Sequence, residues 1–134
     1  MDAGTRQLVH TRARERCEYC RIPQDAVEAT FHVEHCIAKQ HRGDDDPGNL
    51  ALACDRCNLY KGPNLTAIDP TSGEIATLFH PRRERWEDHF SLQGAIIVGL
   101  TSSGRATIQL LRMNAPRRLH LRRVLLQFGA TFND

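Results

Sequence analysis

Apolar positions in this chain fall in short runs separated by polar or turn-forming stretches, and few of them keep a helical period for long. Residues 3–16 read as a helix, with Leu8 and Val9, then Ala13, forming an apolar stripe among arginines. Residues 30–36 alternate, with Phe31 and Val33 set against polar neighbours, and predict a strand. A polar loop follows over residues 39–48, carrying Gly43, an aspartate run and Pro47-Gly48. Leu50–Ala53 is a short apolar strand, and Asp55–Lys61 a short helix stopped by Gly62-Pro63. The order through this stretch is strand, loop, strand, helix.

The remainder is less periodic. Residues 63–81 predict loop and short strand around the turn Asp69-Pro70-Thr71-Ser72-Gly73. Residues 81–90 predict a short helix, with Trp86, His89 and Phe90 at i, i+3, i+4. The runs 95–100 and 105–111 flank Thr101-Ser102-Ser103-Gly104 and predict a β-hairpin. Asn114 is placed to cap a last helix with Pro116 in its first turn, Leu121, Leu125 and Phe128 on one face, and Gly129 at its end. The expected fold class is α+β, with no internal repeat. A length of 134 residues favours a single domain over 1–134, with a core at 17–62 and an extension at 63–134 packed on it.

Composition adds little until its distribution is considered. Charged residues are 25% and apolar residues 40%, values ordinary for a globular chain. A net charge of +2 does not itself point to nucleic acid. Arginine is clustered, however: Arg12, Arg14 and Arg16 early, Arg82, Arg83 and Arg85 midway, and Arg112, Arg117, Arg118, Arg122 and Arg123 late. Asp44, Asp45 and Asp46 offset these in the total without cancelling them locally, and a solvated loop is the expected place for that run. No apolar stretch is long enough to span a bilayer, and the N-terminus lacks the apolar core of a signal peptide. A cytoplasmic protein with no membrane partner is the expectation.

That compartment bears on the cysteines. Cys17/Cys20 and Cys54/Cys57 form two Cys-x-x-Cys pairs, a spacing that lets both sulfurs of each pair reach one ion. In reducing surroundings such pairs favour metal over disulfides. The four thiols together predict a closed, structural zinc site that contributes folding free energy and no chemistry. Cys36 is left over and reads as a small buried residue.

Between the pairs lies a set of residues suited to phosphodiester hydrolysis. That reaction needs a base for water and neutralisation of the charge that develops on phosphate and leaving oxygen. Histidine serves the first near neutral pH, and His35 is the candidate. A divalent ion on oxygen ligands, Mg²⁺ or Mn²⁺, serves the second, with Glu34 supplying a carboxylate and Asn58 a neutral oxygen. Adjacent residues of a regular strand face opposite sides, so Glu34 and His35 can share a site only where the strand twists or ends. Lys39, Arg42 and Lys61 flank the set and are candidates for phosphate contact. His32 and His41 are expected to be solvated.

Three segments resemble the HNH endonucleases, a group of ββα-metal or His-Me finger nucleases: Cys17-Glu18-Tyr19-Cys20, Phe31-His32-Val33-Glu34-His35, and Gly48-Asn49 through Cys54-Asp55-Arg56-Cys57-Asn58 to Lys61-Gly62. The resemblance covers residues 17–62, about a third of the chain. It implies His35 as general base, Glu34 and Asn58 as ligands of the catalytic ion, and Asn49 as the brace that holds the loop and orients the base. It also implies cleavage of nucleic acid, DNA first, to leave 5′-phosphate and 3′-hydroxyl ends, with no small-molecule cofactor. A zinc-stabilised binding module without catalysis is the alternative, and a zinc-stabilised protein-interaction module a third reading.

Overall fold

The computed structural model describes residues 1–132 and forms two compact units. The first comprises Met1–Leu65 with His80–Glu84; the second comprises Thr66–Phe79 with the described residues from Arg85 onward. Among the described residues, no helix is long and apolar enough to cross a membrane. The class is α+β, as the patterning predicts.

In the first unit, helix α1 (Ala3–Ala13) is capped by the Asp2 carboxylate, which accepts from Thr5 N, and ends where Arg14 turns into the left-handed region. It is shorter than the predicted 3–16. Only Val9 of its apolar stripe is buried, and Leu8 is exposed. Strands β1 (His32–His35) and β2 (Leu50–Ala53) pair antiparallel, with His32 opposite Ala53 and His35 opposite Leu50. All four residues of β2 are buried, which makes this strand the floor of the unit. Helix α1 packs on β2, and Arg12 reaches over it to donate to the Pro47 and Leu50 carbonyls at 3.0 and 2.8 Å. Helix α2 (Asp55–Lys61) starts directly after β2, with the expected bounds, and packs on both strands. The unit thus contains a ββα core.

Glu18 ties further chain into this unit. Its carboxylate accepts from Leu52 N at 2.9 Å and from the Arg82 guanidinium, so residues 80–84 are anchored here rather than with their sequence neighbours.

The second unit holds two hairpins, β3 (Thr66–Ile68) with β4 (Ile75–Thr77) and β5 (Phe90–Gln93) with β6 (Ile96–Gly99). Between them lies one helical turn, α3 (Trp86–His89). Helix α4 (Ser102–Leu111) packs on both hairpins, and α5 (Pro116–Gln127) completes the unit.

Four expectations are corrected here. The hairpin pairs Phe90–Gln93 with Ile96–Gly99; residues 105–111, the expected second arm, lie in α4. The Thr101 side chain accepts from Gly104 N at 3.0 Å, so Thr-Ser-Ser-Gly is a helix start and not a strand turn. Helix 81–90 contracts to one turn because Phe90 enters β5. Finally, α5 buries Arg118 and Arg122, whereas Phe128 is 85% exposed. Asn114 does not cap that helix: its amide bridges Ile97 N and Ile97 O at 2.9 and 2.8 Å and accepts from Arg122.

Candidate metal centre and cleft

The four cysteines converge. Their sulfurs all lie within 4.8 Å of one another, every one is buried, and none is in a disulfide. Bonds of about 2.3 Å from zinc to each of four thiolates place tetrahedral sulfurs about 3.8 Å apart. The Cys20 and Cys54 sulfurs are 3.7 Å apart. The knuckles are organised by their own backbone: Cys20 N points to Cys17 Sγ and Cys57 N to Cys54 Sγ, at 3.5 and 3.4 Å. Cys54 is also the N-cap of α2. The donor set and spacing fit a structural metal such as zinc, held between the 17–20 knuckle and the β2–α2 junction.

Cys36 stands apart from this tetrad. Burial pushes its thiol up to about 12, so it stays protonated at neutral pH and packs as a small apolar group.

Beside the tetrad, Glu34, His35 and Asn58 border one cleft of about 460 Å³, together with Val33 and Lys39. The difficulty posed by adjacent strand residues is resolved because β1 ends at His35. The next amide, Cys36 N, donates to Asn49 O at 2.8 Å, outside the strand register. Asn58 is half-buried and one turn into α2, and its own amide bonds the Cys54 carbonyl. The junction that carries two of the thiols therefore also sets this side chain.

Glu34 is 7% exposed, and both of its oxygens are engaged. Oε1 accepts from the Tyr19 hydroxyl, and Oε2 from Lys61 Nζ at 3.0 Å. Burial pushes the carboxyl up; the Lys61 ammonium is the foremost influence holding it down, followed by the Tyr19 hydroxyl. Tyr19 is itself pushed well up, by burial first and by the negative charge of Glu34 second.

Lys61 departs from its expected place. Its ammonium is 3% exposed and also donates to the His35 carbonyl at 3.1 Å, so it faces the protein interior and not a nucleic-acid backbone. Lys61 lies three residues after Asn58 on α2, hence on the same helix face. Tyr19 lies inside the first knuckle, and no local pattern marks its contact with Glu34.

Lys39 remains 65% exposed at the cleft edge, 3.4 Å from Asp45. Arg42 lies in the left-handed region at the end of a 3₁₀ turn and borders a second cleft of about 300 Å³ with His41 and Arg83. His32 and His41 are exposed.

Asn49 is 8% exposed and closes the loop that carries these residues. Its Oδ1 accepts from Ile37 N at 2.8 Å, and its Nδ2 donates to the Ile37 and Asp44 carbonyls, both at 2.9 Å. Gly43 passes so close beneath this network that a Cβ there would sit 1.6 Å from Ile37 O and 2.9 Å from Asn49 Nδ2. The sequence predicts a polar loop over 39–48 with Asn49 as its brace; the structure adds that Gly43 has no room there for a side chain.

His35 is held at both ends. Its carbonyl receives Lys61, and its Nε2 lies 2.7 Å from Asp45 Oδ1. The Asp45 contact has no local sequence signal: the two residues are ten apart, across the loop.

Residues 17–64 match the family model described as HNH endonuclease. No curated protein and no solved structure matches the chain.

Proposed function

We propose, from the match of residues 17–64 to the HNH endonuclease family model, that this protein hydrolyses phosphodiester bonds in nucleic acid, DNA first. The carrying observation is that Glu34, His35 and Asn58 border one cleft, two residues of it from the strand end and one from the helix that follows the thiol site.

His35 is the base. An imidazole nitrogen takes a proton from water; the water oxygen forms a bond to phosphorus, and the bond to the 3′ oxygen breaks, leaving a 5′-phosphate and a 3′-hydroxyl after that oxygen gains a proton from solvent. Glu34 and Asn58 offer one carboxylate and one neutral oxygen, a hard donor set that suits Mg²⁺ or Mn²⁺ and leaves coordination positions open. When bound, such an ion neutralises charge on the phosphate and the departing oxygen. Lys61 keeps the buried Glu34 charge compensated and its carboxylate oriented, while its own positive charge lowers the affinity of the pair for a cation. Asn49 keeps the loop shut, and the exposed Lys39 and Arg42 contact phosphate without reading sequence.

The test is nicking of supercoiled plasmid by zinc-loaded protein, with and without Mg²⁺ or Mn²⁺. Wild type is expected to cut, and His35→Ala to lose about 10²- to 10⁴-fold in rate with its zinc content unchanged. A wild type inert on double-stranded DNA, single-stranded DNA and RNA would instead indicate a zinc-stabilised binding module.

A further inference from the structure

We propose that Asp45 is a positioning residue for His35, fixing which imidazole nitrogen carries the proton and which is free to receive one. The inference rests on the reading of His35 as base.

Asp45 Oδ1 lies 2.7 Å from His35 Nε2. An ionised carboxylate only accepts hydrogen bonds, so in the neutral ring Nε2 must carry the hydrogen. Asp45 is ionised at neutral pH: the bond from His35 is the foremost influence holding its carboxyl below the ordinary range, with Lys39 adding to it. The lone pair of the neutral ring is then on Nδ1, which makes no hydrogen bond among the described residues. A histidine without this contact would divide between two tautomers and swing about its side-chain bonds, and only one of those arrangements offers Nδ1 to water.

The carboxylate can act this way because its backbone is fixed on both sides. Before it, the Asp44 carbonyl receives Asn49 Nδ2 at 2.9 Å, and Asp44 Oδ1 accepts from Asp46 N at 3.1 Å. After it, Asp46 caps the following 3₁₀ turn by accepting from Gly48 N at 2.8 Å. His35 is fixed in turn by strand pairing to Leu50 and by Lys61 on its carbonyl. The Nε2–Oδ1 contact is the point at which the fixed loop meets the imidazole ring. Asp45 is 42% exposed and shares Oδ1 with Lys39 at 3.4 Å, so orientation and tautomer, rather than a strong field, are what it supplies.

The experiment uses the zinc-loaded full chain and has two readouts. Long-range proton–nitrogen NMR of the His35 ring reports the tautomer without requiring turnover. Wild type should show hydrogen on Nε2, and Asp45→Ala a mixture. Plasmid nicking by wild type, Asp45→Ala and Asp45→Asn reports kcat and KM separately. Asp45→Ala should lose about 10- to 100-fold in kcat with KM for DNA unchanged or lower, since an acidic side chain near phosphate has been removed. Asp45→Asn, whose amide oxygen still accepts from Nε2, should recover a large part of that loss. An unchanged tautomer in Asp45→Ala overturns the inference, as does an unchanged kcat in a background where wild type cuts. If wild type cuts nothing, the functional reading fails, and the NMR result still decides whether Asp45 orients the ring.

Discussion

The two units hold themselves together by different means. In the first, the fixed points are polar or metal-directed: four thiols, the Tyr19–Glu34–Lys61 set, the Asn49 brace and the Glu18–Arg82 pair. In the second they are mainly aromatic, with Phe79, Trp86 and Phe90 in contact at ring distances of 5.1 to 5.2 Å, plus an inward-pointing Arg122. Arg122 donates to the Ala95 and Met113 carbonyls at 2.7 and 2.8 Å and so ties α5 to the β5–β6 turn. The first unit, whose four buried thiols suit a structural metal, is fixed largely by directional polar bonds, and the second largely by packed rings.

The largest way to test that contrast is to remove the metal. Structural zinc carries an apparent binding free energy of about 10 to 16 kcal/mol, comparable with the whole stability of a small domain, about 5 to 15 kcal/mol. Cys54→Ser, or a strong chelator, should therefore unfold the first unit, seen as lost zinc and lost nicking. Emission of Trp86, the chain's single tryptophan, should keep its buried character, because the second unit contains none of the thiols. A simultaneous shift of Trp86 emission to that of a solvated indole would show that the two units fold as one.

Substitutions of about equal cost sharpen the difference further. Lys61→Met leaves the Glu34 carboxylate buried without its cation and should cost about 3 to 5 kcal/mol; adding Glu34→Gln should restore most of that. Phe90→Ala, at a position 1% exposed, should cost a similar 3 to 5 kcal/mol through a cavity, with no second polar change able to repair it. Urea unfolding, followed by far-UV circular dichroism and Trp86 emission, measures both.

How far each unit was legible in sequence follows from the same contrast. Cys17, Cys20, Cys54 and Cys57, the β2 run and the bounds of α2 are local patterns, and the structure places them as read. Asp45 meets His35 across a loop, and Tyr19 meets Glu34 of β1 from the first knuckle; such contacts depend on tertiary closure and leave no period in the chain. In the second unit, Ala106, Ile108 and Leu110 alternate well enough to mimic a strand, yet Thr101 caps them into α4, and a hydrogen bond from Gly104 N to Thr101 Oγ1 decides against apolar alternation. Arg118 and Arg122 stand in a run of arginines, and nothing local foretells that both are buried or that carbonyls from Ala95 and Met113 receive the Arg122 guanidinium.

The smallest expected effect is also the most discriminating, because it has opposite signs in the two units. Glu34 and Asp69 are both buried carboxylates paired with a cation. For Asp69, the two-pronged bond from Arg105, at 2.9 Å to each oxygen, is foremost in holding the carboxyl well below the ordinary 3.8, with Thr71 N and the Ser72 hydroxyl adding to it. Its contribution is thus fully present above 3.8, where the unfolded chain is already ionised, and is lost as pH falls below that value toward the folded one. For Glu34, burial outweighs Lys61, and the folded carboxyl lies above the ordinary 4.5. Its contribution is present below 4.5 and declines as pH rises through the folded value. Each wild type minus variant difference isolates one carboxyl, since thiolate protonation at the zinc site is common to both members of a pair. Between wild type and Asp69→Asn, the stability difference read by Trp86 emission should shrink on acidification below 3.8. Between wild type and Glu34→Gln, read by circular dichroism, wild type should lose ground on raising pH from 4.5 toward neutrality. Equal signs in the two series would mean that Lys61 compensates Glu34 as fully as Arg105 compensates Asp69, and that the first unit bears no electrostatic cost for keeping a carboxylate beside its cleft.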